Sequence, residues 1–201
     1  MKLYYSPGAC SLAPHIALRE AGLPFEAVLA STKTKKLPDG TDFLTINPKG
    51  QVPVLELDDG ARLTEVQVLL QVIASLAPAT GLVPAEGLAR WRQLEWLNFC
   101  ATEVHKGFSP LFTPGMPEEA KAMARERLLS RAAIIEAGLA DTPYLGGDTL
   151  SAADIYLWVA TGWGQYVGVD FSAFPKLMAW RARIGERPAV VAALKAEGLI
   201  K

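Results

Sequence analysis

Cysteine and histidine are scarce: the 201 residues contain two of each. Two cysteines exclude a disulfide-stapled scaffold, and two histidines leave little material for a Cys/His metal site, so no metal is expected. Neither sign of charge predominates. Lys+Arg number 20 against Asp+Glu 21, a formal charge of −1. Without a basic field, a general nucleic-acid binder is not expected. Long hydrophobic runs are lacking too. Val66 to Ala85 is twenty residues without a charge, but it holds Gln67, Gln71, Pro78, Gly81 and Pro84. Its compact apolar part, Val68 to Ala77, falls short of the ~20 residues that span a bilayer. Gly8-Ala9-Cys10 has the look of the end of a lipoprotein signal. Only Leu3-Tyr4-Tyr5 precedes it as an apolar stretch, and Pro7 interrupts, where a signal needs ~7–15 apolar residues. A cytoplasmic protein with reduced cysteines and no membrane partner is therefore expected. No Gly-x-Ser-x-Gly elbow, His-Glu-x-x-His or Walker loop occurs.

What is present is ordinary globular material, 50% hydrophobic and 20% charged, of a length for one large domain or two small ones. Two textures divide it. In residues 1–77 short strand-like runs alternate with helical ones. Lys2 to Tyr5 reads as a strand ended by Ser6-Pro7-Gly8, Leu12 to Leu18 as a helix closed by Gly22, and Phe25 to Leu29 as a second strand. Lys33 to Asn47 is polar, with a turn at Pro38-Asp39-Gly40. Val52 to Leu57 alternates into Asp58-Asp59-Gly60, a hairpin signal leading to Arg62-Leu63-Thr64, and Glu65 to Leu76 is helical. The order predicts a small mixed sheet with helices on both faces. Residues 78–86 read as a linker, and 87–201 as all-helical. There Leu88, Trp91, Leu94, Leu97, Ala101, Val104 and Phe108 make one apolar stripe. Glu118 to Leu139 is a long helix with Pro117 at its first position. Ile155 to Val167, almost uncharged, is a helix buried on all sides. Pro175 to Ile184 and Ala189 to Leu194 are shorter helices. Ser151-Ala152-Ala153-Asp154 has capping-box spacing, flanked by Leu150 and Ile155 as a hydrophobic staple, a feature of folding rather than chemistry.

Several residues carry chemistry or a plainer structural role. Cys10 follows a strand and precedes a helix, where unpaired N–H groups and the dipole favour a thiolate or bind an anion; the plain alternative is a small residue closing a turn. Position 13 is Ala, so no dithiol forms. Cys100 sits on an apolar helix and reads as core. Val52-Pro53 opens a strand. Proline there suits a sheet edge, and a cis peptide would turn the Val52 backbone outward to pair with an extended peptide. Glu65 begins a helix, either as a dipole partner or as a carboxylate for a ligand ammonium, with the Val66 N–H beside it for a ligand carboxylate. Asn98, Thr102, His105 and Lys106 form a polar stripe, either a solvated face or one on which His105 polarises a nearby group.

Taken together, these stretches resemble the beta class of bacterial glutathione S-transferases. The resemblance rests on Met1 to Leu12, Asn47-Pro48-Lys49-Gly50-Gln51-Val52-Pro53-Val54 and Leu63-Thr64-Glu65. It extends through Glu95 to Phe99, Glu103 to Phe108, Ser151 to Asp154 and the tail from Arg187-Pro188 to Leu199, so it spans the chain in register. It implies a thioredoxin-like α/β N-terminal domain followed by an all-α helical-bundle domain, a homodimer, and detoxifying conjugation of glutathione to small hydrophobic electrophiles. By the same resemblance, Cys10 faces the glutathione sulfur and forms a mixed disulfide with it. Val52, before a cis Pro53, pairs with the cysteinyl backbone, while Glu65 and the Val66 backbone hold the γ-glutamyl head. Lys35, Asn98, Thr102, Glu103, Val104 and His105 line the rest, with Lys106 a weaker candidate, and some of these reach across the dimer. Cys10 and His105 are the implied catalytic pair, with Ser11 a further candidate activator.

One departure stands out. Many relatives carry Ser or Gly where this chain has Val66, so a hydroxyl contact to the γ-glutamyl carboxylate is unavailable and the bulk of Val66 would crowd it. Two alternatives to conjugation stay open. One is glutathione-dependent thiol exchange, reduction or dehalogenation centred on Cys10. The other is a non-enzymatic interaction protein of the same fold, against which Cys10, Glu65 and His105 together argue.

Overall fold

The computed structural model describes residues 1–201. The chain forms two compact units, Met1–Thr80 with Arg187–Lys201, and Gly81–Glu186. The C-terminal segment thus groups with the first unit, not with the helical residues 87–186. Its helical texture matches the second domain, but Pro188–Ala196 packs on the first helix of the chain. No helix is long and apolar enough to cross a membrane.

The first unit contains β1 (Lys2–Tyr5), α1 (Leu12–Glu20), β2 (Glu26–Leu29), β3 (Val54–Glu56), β4 (Arg62–Thr64) and α2 (Val66–Leu76). The sheet order is β2-β1-β3-β4. β1 runs parallel to β2 through the α1 crossover and antiparallel to β3, with Leu3 opposite Leu55 and Tyr4 opposite Val54. Alternation along β1 and β3 sets two faces. α1 and α2 pack on each other and cover one face. Tyr4 and Val54 on the other meet Ala30, Phe43 and Val52, with Leu37 and Ile46 packed against them. Helices on both faces were expected. The second face is instead covered by the connection between β2 and β3, whose regular structure is one 3₁₀ turn, Phe43–Thr45. That segment is too polar to offer a helix an apolar stripe, so one aromatic side chain anchors it instead.

α1 ends as its sequence predicts. Gly22 takes φ +63°, and the N–H groups of Gly22 and Leu23 donate to Arg19 O and Leu18 O. The C-terminal helix α9 (Pro188–Ala196) adds a buried contact. Fully buried His15 of α1 has Nδ1 2.8 Å from Glu197 Oε1, and Arg19 Nε donates to His15 Nε2 over 3.1 Å. Since Nε2 accepts, Nδ1 carries the proton and donates to the carboxylate. The Arg187–Glu20 pair, bidentate at 2.6 and 2.8 Å, closes the same junction.

The second unit holds α3 (Gly87–Phe99), α4 (Ser109–Phe112), α5 (Glu118–Gly138), α6 (Ala152–Gly162), α7 (Gly164–Val167) and α8 (Pro175–Gly185). Pro117 stands at the N-cap of α5 rather than inside it. The expected single helix from 155 to 167 is two, α6 and α7; most of α6 is buried as anticipated, but Gln165 and Tyr166 of α7 are exposed. The expected stripe on α3 is half right. Leu97, Val104 and Phe108 are buried, but Leu88 is 70% exposed and Trp91 62%. The inward positions are Gln93, Leu97, Cys100, Val104 and Phe108. The reason is the spacing: Leu88, Trp91, Leu94 and Leu97 stand three apart, and steps of three drift around a helix of about 3.6 residues per turn until Leu88 faces away from Leu97. Beyond Phe99, Cys100–His105 winds as a π-helical turn and Lys106–Phe108 as a 3₁₀ turn. The wider turn shifts which side chains face inward.

Asp154 joins the elements of this unit. Ser151 and Asp154 form the capping box in full. The Asp154 carboxylate also accepts from Leu145 N at 2.9 Å and Trp180 Nε1 at 2.8 Å. Burial pushes its carboxyl up, against the opposing pull of the Ser151, Leu145 and Trp180 donors.

Candidate functional site

In the first unit the strand-to-helix turn after β1 presents Cys10. Consecutive turns, Ala9 N to Ser6 O and Leu12 N to Ala9 O, carry the chain into α1. Gly8 takes φ +69° and its N–H donates to Glu197 Oε2 over 2.9 Å, so the C-terminal segment holds this loop. Ser11 is fully buried. Its hydroxyl donates to Ser6 O and accepts from Ser6 N, at 3.2 and 3.1 Å. Ser11 is thus a clasp for the turn, and its candidacy as a thiolate activator falls, because its hydroxyl is enclosed and engaged.

Cys10 is half-buried, and its Sγ donates to Val52 O at 3.4 Å. The Val52–Pro53 peptide is cis. Two side chains hold the loop that delivers Val52. Asn47, buried, donates from Nδ2 to Gln51 O at 2.7 Å and accepts from Lys49 N. Lys35 reaches Gly50 O with Nζ at 2.7 Å, from a left-handed backbone with φ +56°. Gly50 takes φ +60°, where a side chain would be strained, and a Cβ there would also lie 3.2 Å from the Lys35 stem.

The third feature is Glu65, between β4 and α2. It has φ +70° and ψ +115°, a region costing an L-residue of order 1–3 kcal/mol. The Glu65 carbonyl accepts from Val68 and Leu69, each at 3.0 Å, so the strained residue still starts the helix. Its side chain makes no cap and is 61% exposed, where Lys49 Nζ meets Oε1 at 2.7 Å. Val66 behind it is only 5% exposed.

In the second unit the π-helical turn decides which predicted residues face out. Asn98 and Thr102 are exposed, and Thr102 Oγ1 donates back to Asn98 O at 3.0 Å. Lys106 is exposed as well. Glu103 is committed within the unit. Arg127 Nη2 and Arg131 Nε hold one of its oxygens at 3.0 and 2.8 Å, and those bonds keep its carboxyl below the usual range. Val104 is core.

His105 Nδ1 lies 2.7 Å from the hydroxyl of buried Tyr156 on α6. Its ring stands edge-on to Trp163, with centroids 4.9 Å apart. Phe108 and half-exposed Phe112 also pack edge-on to Trp163, so an aromatic wall continues from the histidine. Cys100 is buried, as read. Nothing in the sequence sets apart Tyr156, Trp163, Asn47 or Lys49 as site residues. The nearest signal is the uncharged run around Trp163, which reads equally as plain core.

The comparisons with known proteins agree over the full length. Residues 8–76 match the family "Glutathione S-transferase, N-terminal domain" and residues 99–188 its C-terminal counterpart. The glutathione S-transferase GstA of Escherichia coli O157:H7 is 43% identical over 200 residues, 99% of this chain and 100% of that protein. The chain belongs to the glutathione S-transferase family. Solved glutathione S-transferases agree. That of a sphingomonad, complexed with glutathione, is 53% identical, covers all of both chains and superposes with a TM-score of 0.95. The beta class glutathione S-transferase of Sphingomonas chungbukensis is 50% identical with the same coverage and TM-score. The fold expected from the resemblance, a thioredoxin-like unit and a helical one, is thus that of the glutathione S-transferases.

Proposed function

We propose that this protein binds glutathione and transfers its thiolate to small hydrophobic electrophiles, with Cys10 also able to hold glutathione as a mixed disulfide. The observation that carries the reading is the 3.4 Å bond from Cys10 Sγ to Val52 O. It sets a thiol against a backbone carbonyl beside the cis Val52–Pro53 peptide. An extended peptide pairing with Val52 would bring its cysteinyl N–H to that same carbonyl. The Cys10 S–H is then released to donate to the ligand sulfur and stabilise it as thiolate.

Glu65 takes the γ-glutamyl ammonium, displacing Lys49, and the Val66 N–H at the helix start takes the carboxylate. Lys35 acts by fixing the Gly50 loop. Asn98, Thr102 and His105, with Lys106 the weaker member, serve the remainder of the ligand and the thiol. In conjugation the thiolate attacks the electrophilic carbon. A C–S bond forms, and the leaving group departs with its electron pair or the pair moves into an activated alkene. Apolar electrophiles suit the wall formed by Phe108, Phe112 and Trp163. In the disulfide step the Cys10 thiolate attacks glutathione disulfide, one S–S bond replaces another, and one glutathione thiolate leaves. A homodimer completes the reading, and exposed Leu88 and Trp91 on α3 are apolar surface of the kind an interface covers.

A product assay with glutathione and 1-chloro-2,4-dinitrobenzene tests this. The thioether and chloride are expected in equal amounts. No thioether, but glutathione disulfide and free 2-mercaptoethanol when 2-hydroxyethyl disulfide is supplied with glutathione, would instead establish thiol exchange as the activity.

A further inference from the structure

Away from the residues discussed so far, the second unit has a cavity of about 490 Å³ where α6, α7 and α8 meet. Thr161, Gly162, Val169, Asp170, Phe171 and Arg181 line it. Arg181, from α8, lies under the end of α6. Its Nη1 donates to Trp158 O at 2.7 Å and to Thr161 Oγ1, and its guanidinium stacks 5.5 Å from the Trp158 ring. Trp158 Nε1 donates in return to Arg181 O at 2.9 Å, which fixes the strand of contacts in both directions. Gly162 makes the position possible, since a Cβ there would lie 3.2 Å from Arg181 Nη2.

No carboxylate pairs with this arginine. Burial lowers its pKa to about 10, so it stays charged at neutral pH. A mostly buried, charged guanidinium with donors beyond Nη1 to offer is a binding group for a carboxylate. The same cavity holds a second, opposite charge. Asp170 accepts from Ser172 N and Ser172 Oγ, both at 2.9 Å, and those bonds keep its carboxyl below the usual range. Each of its oxygens retains a lone pair. Part of the cavity's lining is apolar and closely built. Val169 and Phe171 are buried, and a Cβ on Gly164 would lie 2.8 Å from Val169 O.

A bare anion would meet Arg181 but also the charge of Asp170, and a bare cation the reverse. A zwitterion answers both. We propose that this cavity binds a free α-amino acid with an apolar side chain, its carboxylate on Arg181, its ammonium on Asp170 and its side chain against Val169 and Phe171. The site is separate from the glutathione reading and does not depend on it. If Arg181 instead serves only the carbonyls at the end of α6, no ligand is bound.

The test is calorimetric titration of the whole reduced protein with L-phenylalanine. One site per chain is expected. 3-Phenylpropionate, lacking the ammonium, and 2-phenylethylamine, lacking the carboxylate, should each bind about tenfold more weakly or worse. Arg181→Met should abolish binding and Asp170→Asn weaken it about tenfold, both with glutathione conjugation unchanged. Glu65→Gln should leave phenylalanine binding as it is, which separates this cavity from the proposed glutathione site. No heat from L-phenylalanine overturns the proposal. So does equal affinity for 3-phenylpropionate, or binding lost in Glu65→Gln but kept in Arg181→Met. Should Arg181→Met not fold, the two analogues on the unaltered protein and Asp170→Asn decide the matter.

Discussion

Glu65→Gln isolates one charge of the proposed glutathione site. Glutamine keeps the length of the side chain and the strained backbone at φ +70°, so only the carboxylate charge is removed. In the ligand-free protein that carboxylate pairs with Lys49 Nζ at 2.7 Å, and the two side chains are 61% and 52% exposed. An exposed pair of this kind contributes about 0–1 kcal/mol. A ligand ammonium that replaces Lys49 makes a charged hydrogen bond of about 1.5–3 kcal/mol and forfeits the lysine pair. The net gain is about 1–2 kcal/mol, so Glu65→Gln should raise the dissociation constant for glutathione about tenfold. Lys49→Met removes the competitor instead and should tighten binding by up to about fivefold. Titration calorimetry on both variants reads the two changes. Unchanged affinity in Glu65→Gln would refute the placement of the γ-glutamyl head. Weaker binding in Lys49→Met would show that Lys49 is a ligand contact and not a competitor.

Cys10→Ala is expected to abolish the mixed disulfide with glutathione, seen by mass spectrometry, while leaving part of the conjugation rate; complete loss of conjugation with glutathione still bound would count against that division. Val66→Ser places a hydroxyl beside the N–H proposed to take the γ-glutamyl carboxylate and should tighten glutathione. It also gives up buried methyl groups, at about 1–2 kcal/mol of stability in a denaturant titration. Asp154→Ala strands the Leu145, Ser151 and Trp180 donors and should lower stability by about 3–5 kcal/mol, with a change below about 1 kcal/mol contradicting its structural role. Glu56, beside Arg62, and Glu103, beside Arg127 and Arg131, have carboxyls held below their unfolded value of 4.5. Their contribution is complete above that value and is lost as pH falls through the lower folded values. Melting temperature should therefore drop on acidification below 4.5, and a flat profile there would refute the assignment.

The regular elements were legible because their signals are local. β1, α1, the Gly22 end and the Ser151–Asp154 box each depend on a few adjacent residues. Three things were not local. The helix at 188–196 looks like any other short helix, and its place on α1 depends on Glu197 reaching His15 and Gly8. The stripe through Leu88 and Trp91 rests on steps of three that drift around the helix, and the π-helical turn at 100–105 that follows has no period in the sequence. Packing of Phe43 under the sheet replaced the helix expected on the second face. Of the candidate site, Cys10, Val52 and Glu65 lie at strand ends and helix starts, which sequence marks well. On the π-helical turn the side chains diverge: Val104 enters the core, Glu103 meets Arg127 and Arg131, and His105 meets Tyr156. Tyr156 and Lys49 act through partners 51 and 16 positions away, and spacing along one element cannot reveal such pairs.

The central claim is that this chain holds glutathione at Cys10, Val52 and Glu65. Calorimetric titration of the purified, reduced protein with glutathione tests it most directly. A dissociation constant in the micromolar-to-millimolar range, near one site per chain and weakened in Glu65→Gln, is the result the account predicts. No heat at two temperatures would contradict it.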